Sequence, residues 1–204
     1  MINLTYVTGN KGKYLNVSSK FKKYNIDIKH FDCDLSEPDV NDIEYISKVK
    51  ALEAYDQVKS PVFVTDAGFY IEGYPGNPGY PGAFAKRSGI SSNIEGLLET
   101  MKDIDNRDCY FLDCLTFYDG NVFKQFKGYS RGTLSYDIRG NEKNNKLSNL
   151  WYVFIPLNHS KTLAEMSDEE RNNRHDNRTS ASDEFIKWYL DEYKNVMRLE
   201  LKNS

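Results

Sequence analysis

The chain has 204 residues, 39% of them apolar and 28% charged, with a net charge of -3. That length supports one domain with a full core, and the slight negative charge argues against nucleic acid as the main partner. No apolar run approaches membrane length, the start reads as a strand rather than a targeting segment, and Cys33, Cys109 and Cys114 lack metal spacing; together these point to reduced thiols and the cytoplasm, with no membrane partner.

In chain order, residues 2–8 read as a strand and residues 11–24 as a helix with Leu15, Val17 and Phe21 inward. Between them lies Thr8-Gly9-Asn10-Lys11-Gly12-Lys13. A strand, a glycine turn and a helix start make an anion site, because free N–H groups and the helix dipole converge there. Thr8 and Asn10 add neutral donors and Lys13 a point charge, although the P-loop spacing is absent. The alternative is a simple Asn10 cap followed by a solvated lysine face. Residues 26–31 read as a second strand, followed by an acidic loop and a helix over 43–58 that carries Lys50 beside its apolar stripe. An edge lysine usually snorkels outward, but from a helix flank it can reach a cleft.

The stretch over residues 61–87 opens with the apolar run Val62-Phe63-Val64, a strand expected to end at Asp66 and Gly68. A carboxylate at a strand's carboxyl end suits metal or water activation in an α/β cleft; a turn cap reads equally well. Four glycines and three prolines fall within residues 73–82, before Lys86 and Arg87. Such loops are shaped by backbone geometry and often line sites. The β-α-β-α-β order predicts a partly parallel sheet.

Residues 93–102 read as a short amphipathic helix, and residues 109–118 and 122–129 as a hairpin turning at Asp119-Gly120. Gly128 and Gly132 suggest a bulge or bend in the outgoing strand. Residues 139–149 read as a mobile loop, 150–155 as a strand, 163–171 as a helix and 172–182 as too polar to pack. A last helix is expected over 183–199, capped by Ser182, with Phe185, Trp188, Tyr189, Tyr193, Val196 and Met197 on a broad apolar face.

Six segments in this order resemble the inosine triphosphate pyrophosphatase family. They are Thr8–Lys13, Lys50-Ala51-Leu52-Glu53-Ala54, Asp66, Pro81-Gly82-Ala83-Phe84-Ala85-Lys86, Phe126-Lys127-Gly128-Tyr129-Ser130-Arg131-Gly132, and Thr162-Leu163-Ala164-Glu165-Met166 with Glu170-Arg171-Asn172. The resemblance spans nearly the whole chain. It implies an elongated mixed β-sheet flanked by helices, residues 1–204 forming one domain of two lobes around a central cleft, and a homodimer. It implies Mg²⁺-dependent hydrolysis of nucleoside triphosphates to monophosphate and pyrophosphate. Thr8, Asn10, Lys13, Lys50 and Lys86 would hold phosphates, with Lys13 and Asp66 catalytic. Glu37 and Asp66 would bind Mg²⁺, Asp39 being the fallback for Glu37.

Three departures stand out. Thr65 replaces the acid that the family usually has before Asp66. The base-reading aspartate and its aromatic neighbour are lost around Trp151. The Ser-His-Arg contact is replaced by the region His175-Asp176-Asn177-Arg178, with Asn177 for the histidine, Arg178 for the arginine, and Arg171 in place of a lysine. Trp151, Arg171, Asn177 and Arg178 are therefore the candidate base contacts, and the resemblance implies altered or relaxed base choice. A non-catalytic nucleotide-binding protein is the alternative.

Overall fold

The computed structural model describes residues 4–143 and 148–195. The first half alternates as expected: β1 (Leu4–Val7), α1 (Lys11–Lys22), β2 (Ile28–Phe31), α2 (Ile43–Val58) and β3 (Val62–Ile71). Then follow β4 (Pro81–Gly82), α3 (Ile94–Thr100), β5 (Asp108–Tyr118), β6 (Phe123–Leu134), β7 (Phe154–Pro156), α4 (Asp168–Asn173) and α5 (Ala181–Trp188). They form one mixed sheet in the order β2-β1-β3-β5-β6-β7, with β4 added beside β3. β1 runs parallel to β2 and β3, whereas β3, β5, β6 and β7 are antiparallel. Among the described residues, no helix is long and apolar enough to cross a membrane.

Local chemistry fixes the helix starts. Asp42 begins α2 by accepting from the N–H groups of Glu44 and Tyr45, both at 3.0 Å, and Lys59 ends it in the left-handed region at φ 52°. Helix α1 packs through Tyr14, Val17, Ser18 and Phe21, whereas Leu15 is exposed. The inward expectation for Leu15 is thus corrected by the 3.6-residue period, which aligns positions 14, 17, 18 and 21.

Two cores occupy the two ends of one sheet face. At one end Phe63, Leu115, Phe117 and Phe126 pack with Tyr6, Phe21, Phe185 and Trp188. At the other, Phe69, Ile71, Cys109 and Leu134 pack with Leu97, Met101, Val153 and Phe154. Both ends are served by the same strands, so β3 does not stop at Asp66 or Gly68; it continues in register with β5 to Ile71. Helix α2 covers the opposite face, through Ala51 and Ala54 against Val62 and Val64.

The second half departs from expectation in several places. No bulge interrupts β6, which pairs with β5 without a break. Its glycines serve close approach instead: a Cβ at Gly128 would lie 2.5 Å from the Ala181 nitrogen, and one at Gly132 would lie 2.2 Å from the Ile155 oxygen. Residues Asn149–Tyr152 form a 3₁₀ turn, leaving only Phe154–Pro156 as strand. Thr162 to Met166 is a turn, and α4 starts at a Ser167/Glu170 capping box.

The polar stretch before α5 is partly packed: Asp176 is 2% exposed, and Thr179 donates its N–H to the Tyr129 carbonyl at 2.9 Å. Ser180 caps α5 in place of Ser182. The helix passes into a π-turn over Tyr189–Tyr193. Val196, Met197 and part of the loop over 139–149 lie outside the described residues.

Phe185 is fully buried against Phe21, Phe63, Phe117 and Phe126, with ring centroids 5.5–5.9 Å away. Phe185→Ala should therefore cost about 3–5 kcal/mol in urea unfolding, the range for an aromatic deletion from a full core. A loss below about 1 kcal/mol would mean that α5 does not close this core.

Candidate active site

Strand order 2-1-3 puts a switch point at the carboxyl end of β1, with α1 and α2 on opposite sheet faces. Clefts open at such points. The loop over residues 8–10 is tied down there. The Asn10 N–H donates to Thr8 Oγ1 at 3.1 Å, and the Lys13 N–H to Asn10 Oδ1 at 2.9 Å. The Thr8 N–H reaches the Phe31 carbonyl, and His30 Nε2 contacts the Thr8 carbonyl at 2.9 Å while its ring stacks on Tyr14. The Lys13 side chain has no ion pair among the described residues.

On the α2 side, Lys50 turns inward and is buried. Its Nζ donates to Glu37 Oε1 at 2.8 Å and to Asp66 Oδ1 at 2.9 Å. One ammonium thus gathers two carboxylates from separate segments. Burial opposes the Lys50 charge, but the carboxylates outweigh it and hold its pKa above the ordinary value, Asp66 contributing most. Glu37 is held low by its hydrogen bond to Lys50. Asp66 is pushed up because burial outweighs the attraction of Lys50 and Lys13. Asp66 Oδ2 is buried without a hydrogen-bond partner. Asp39 lies apart, its carboxylate 3.4 Å from Arg87.

The glycine- and proline-rich loop folds back beside β3. Pro81 and Gly82 pair with Tyr70 and Phe69, and Asn41 Oδ1 accepts from the Ala83 N–H at 2.7 Å. This carries Lys86, exposed, to where its charge helps hold Glu37 low. Thr8, Lys13, Glu37, Lys50, Asp66 and Lys86 thus come from five segments set around the end of β1 and the middle of β3.

On the other sheet face the two cores are separated by the rung Ala67–Asp113–Gly128, open at Ala67 and Asp113 and covered by the start of α5 at Gly128. Ala67 and Asp113 are exposed in mid-strand, while rungs on either side carry Phe69, Leu115 and Phe126. Thr65, next along β3 on this face, shares a 2.6 Å hydrogen bond with the Tyr6 hydroxyl. Asp113 was not among the residues singled out from the sequence. Its signal was an acid breaking the apolar run Phe111-Leu112-Asp113-Cys114-Leu115.

The remaining candidates gather beyond Ser130, on the next rung. The Arg171 guanidinium lies 5.1 Å from the Trp151 ring centre, and its N–H groups are committed to the Leu163 and Met166 carbonyls and to Asp168. Arg178 donates to the Arg171 and Asn172 carbonyls at 3.0 and 2.9 Å. Asn177 is exposed, in the left-handed region at φ 52°. Arg174, unmarked by the sequence reading, joins Asp176 at 2.6 Å and Ser130 Oγ at 3.2 Å. Trp151 and Arg171 form one stack, while Arg174, Asp176 and Arg178 form a second polar cluster.

The first cluster has the donor set for a hard divalent cation: two carboxylates, with one buried oxygen left unpartnered. Among the described residues no three acidic, His or Cys side chains converge, so a cation there would need oxygens from a ligand, as Mg²⁺ at phosphates does. Lys50→Met should destabilise the fold by roughly 2 kcal/mol at neutral pH, less than for a fully enclosed pair because Glu37 reaches solvent. Burial already raises Asp66 above its unfolded value, so its ionisation opposes folding. Removing Lys50 enlarges that penalty, which vanishes as pH falls and Asp66 protonates. Urea unfolding should therefore show the variant's deficit narrowing from pH 7.5 to pH 4.5; a pH-independent deficit would detach Lys50 from Asp66.

Comparison with known proteins identifies the family. Residues 4–188 match the Ham1 family model. A dITP/XTP pyrophosphatase of Saccharolobus solfataricus is 31% identical over 94% of this chain and 95% of its own. One of Methanopyrus kandleri is 28% identical over 92% and 96%. The fold matches a HAM1 protein from Coxiella burnetii with TM-score 0.79 at 18% identity, over 94% of this chain and 100% of that one. It also matches the Staphylococcus aureus Ham1 protein with TM-score 0.71 at 19% identity, over 92% and 98%. The chain therefore belongs to the Ham1 family, the inosine triphosphate pyrophosphatase family that its motifs resemble.

Proposed function

We propose that the protein hydrolyses nucleoside triphosphates between the α and β phosphates, releasing a nucleoside monophosphate and pyrophosphate with the help of Mg²⁺. The observation that carries this reading is the Lys50 bridge, which poses Glu37 and Asp66 side by side within range of Lys13 and Lys86. The relatives named dITP/XTP pyrophosphatases, matched over nearly their full length, support the same chemistry.

A triphosphate carries about four negative charges, and only cations and oriented N–H groups can hold it in a cleft. In this reading the loop of Thr8 and Asn10 and the start of α1 seat the phosphates, Lys13 and Lys86 pair with their oxygens, and Lys50 keeps the two carboxylates in place. Asp66 Oδ2 and Glu37 would hold the Mg²⁺, which when bound supplies charge neutralisation at the phosphate oxygens. Asp66, pushed up by burial, is also suited to accept a proton from the attacking water. The reading carries with it a homodimer and a reducing, cytoplasmic setting, which fits three free thiols.

Base choice is altered or relaxed in this reading, because Arg171 and Arg178 spend their donors on backbone carbonyls. Packing and stacking alone discriminate by at most about a hundredfold. Inosine triphosphate should therefore be preferred over adenosine triphosphate by less than about a hundredfold in kcat/KM, read as pyrophosphate release. A preference near ten-thousandfold would contradict the relaxed site.

Asp66→Asn should lower turnover by at least about a hundredfold while the variant stays folded, since it removes a charge from a two-carboxylate site. Wild-type activity in that variant would reject the assignment. Lys13→Ala and Lys86→Ala should each weaken triphosphate binding by about tenfold or more while leaving monophosphate binding nearly intact. Equal losses for both ligands would return these lysines to the solvated surface.

A further inference from the structure

We propose that Asp113 determines specificity as a hydrogen-bond acceptor for a donor group on the nucleoside half of the substrate, reading an O–H or N–H from the cleft floor. This rests on the nucleotide reading above and adds a contact that it does not use.

The position is unusual for a carboxylate. Asp113 lies in the middle of β5, one of the two central strands that join both cores. Its cross-strand neighbours on that face are Ala67 and Gly128, the two smallest side chains available. Those on the adjacent rungs are Leu115, Phe126, Phe69 and Phe111. Ala67 leaves the acid open on one flank, while the start of α5 sits over Gly128 on the other, so the trough lies between Phe69 and Phe111 on one rung and Leu115 on the next. Protein surrounds Asp113 on most sides, so burial pushes its carboxyl up, with Lys13 and then Lys20 opposing. Yet the side chain is exposed to solvent. Both facts hold for a group on the floor of a concave cleft.

Among the described residues, no hydrogen bond or ion pair reaches its carboxylate. Lys20, the weaker of the two opposing charges, is already bound to Ser180 and Asp183 at 2.8 Å each. A partly desolvated acid without a partner is costly, and a ligand carrying a donor would relieve that cost.

Alternation along the strands decides which part of the substrate meets it. Asp66 pairs with Cys114, and Asp113 with Ala67, so the two carboxylates point to opposite faces. They do not share a cation. A carboxylate facing phosphate oxygens would be repelled, so the partner of Asp113 is a neutral donor. The same face carries the other elements bordering the trough: Thr65, Ser130 with Arg174 bonded to it, and the start of α5 over Gly128. Sugar hydroxyls and base N–H groups are the donors a nucleoside brings.

The test compares wild type with Asp113→Ala and the isosteric Asp113→Asn, each verified as folded by its thermal transition. Binding of inosine, 2′-deoxyinosine and 3′-deoxyinosine triphosphates, and of inorganic tripolyphosphate, is measured by calorimetry with Ca²⁺ to hold turnover down. Asp113→Ala should weaken inosine triphosphate about tenfold to a hundredfold, the range for a hydrogen bond to a charged group, and leave tripolyphosphate unchanged. Asp113→Asn, which keeps one acceptor oxygen, should lose less. A loss that shrinks for one deoxy sugar assigns the donor to that hydroxyl; a loss kept for both assigns it to the base. Unchanged nucleotide binding, or equal losses for nucleotide and tripolyphosphate, would overturn the proposal. Because binding is read directly, a wild type that binds these nucleotides but releases no pyrophosphate would sink the proposed activity while leaving the role of Asp113 still tested.

Discussion

The side chains of a β-strand alternate between two faces, and this constraint organises the molecule. β3 is long enough to serve both hydrophobic ends of the sheet, with Phe63 in one core and Phe69 in the other. Its midpoint therefore belongs to neither core. There alternation sends Asp66 toward α2 and Lys50, and Thr65 and Ala67 toward α1 and α5. One strand thus equips two sides of a cleft, a metal-suited side and an open trough, without a loop or a bulge. Ending the strand at Asp66 would have separated the cores and left the carboxylate on a mobile turn.

Charge is the second organising quantity. Lys50 balances two carboxylates in a partly desolvated place, where each acid alone would tend toward its neutral form. Among the described residues Lys13 and Lys86 stand around that group without close counter-ions, which gives the site cationic capacity for an anionic ligand. The arrangement favours a polyphosphate bound along with its own cation over a bare one, since Glu37 and Asp66 would repel unshielded phosphate oxygens. The Arg171–Trp151 stack and the Arg174–Asp176 pair work differently: their hydrogen bonds fasten loops around α4, and they spend on the fold the donors that could read a base.

Much of the first half was legible in the sequence, because there the local signals agree with one another. The helix over 43–58 shows Ile43, Ile46 and Ala54 on the side that carries Lys50, and the Thr8–Lys13 loop declares a strand-to-helix turn. The second half was harder. Gly128 and Gly132 look like bulge makers, but they are small because α5 and β7 press on them, a contact set by distant residues. Ser182 reads as the cap of the last helix, yet Ser180 takes that place by accepting from the Asp183 N–H. At the site, the lysines and acids were visible as types, whereas the bridge by Lys50 depends on which way α2 turns on the sheet. Asp113 carries little signal of its own because an acid in a strand normally marks a solvated face; its meaning comes from its cross-strand neighbours, Ala67 on β3 and Gly128 on β6.

Which bond of the triphosphate is broken tests the proposed hydrolysis most directly. Turnover of inosine triphosphate by the wild-type protein in ¹⁸O-labelled water with Mg²⁺, followed by phosphorus NMR and mass spectrometry, reports both products and the atom attacked. Cleavage between the α and β phosphates should give monophosphate and pyrophosphate in equal amounts, with the label in one product only and no nucleoside diphosphate. Release of inorganic phosphate and diphosphate as the primary products would contradict it, as would no turnover of any nucleoside triphosphate under these conditions.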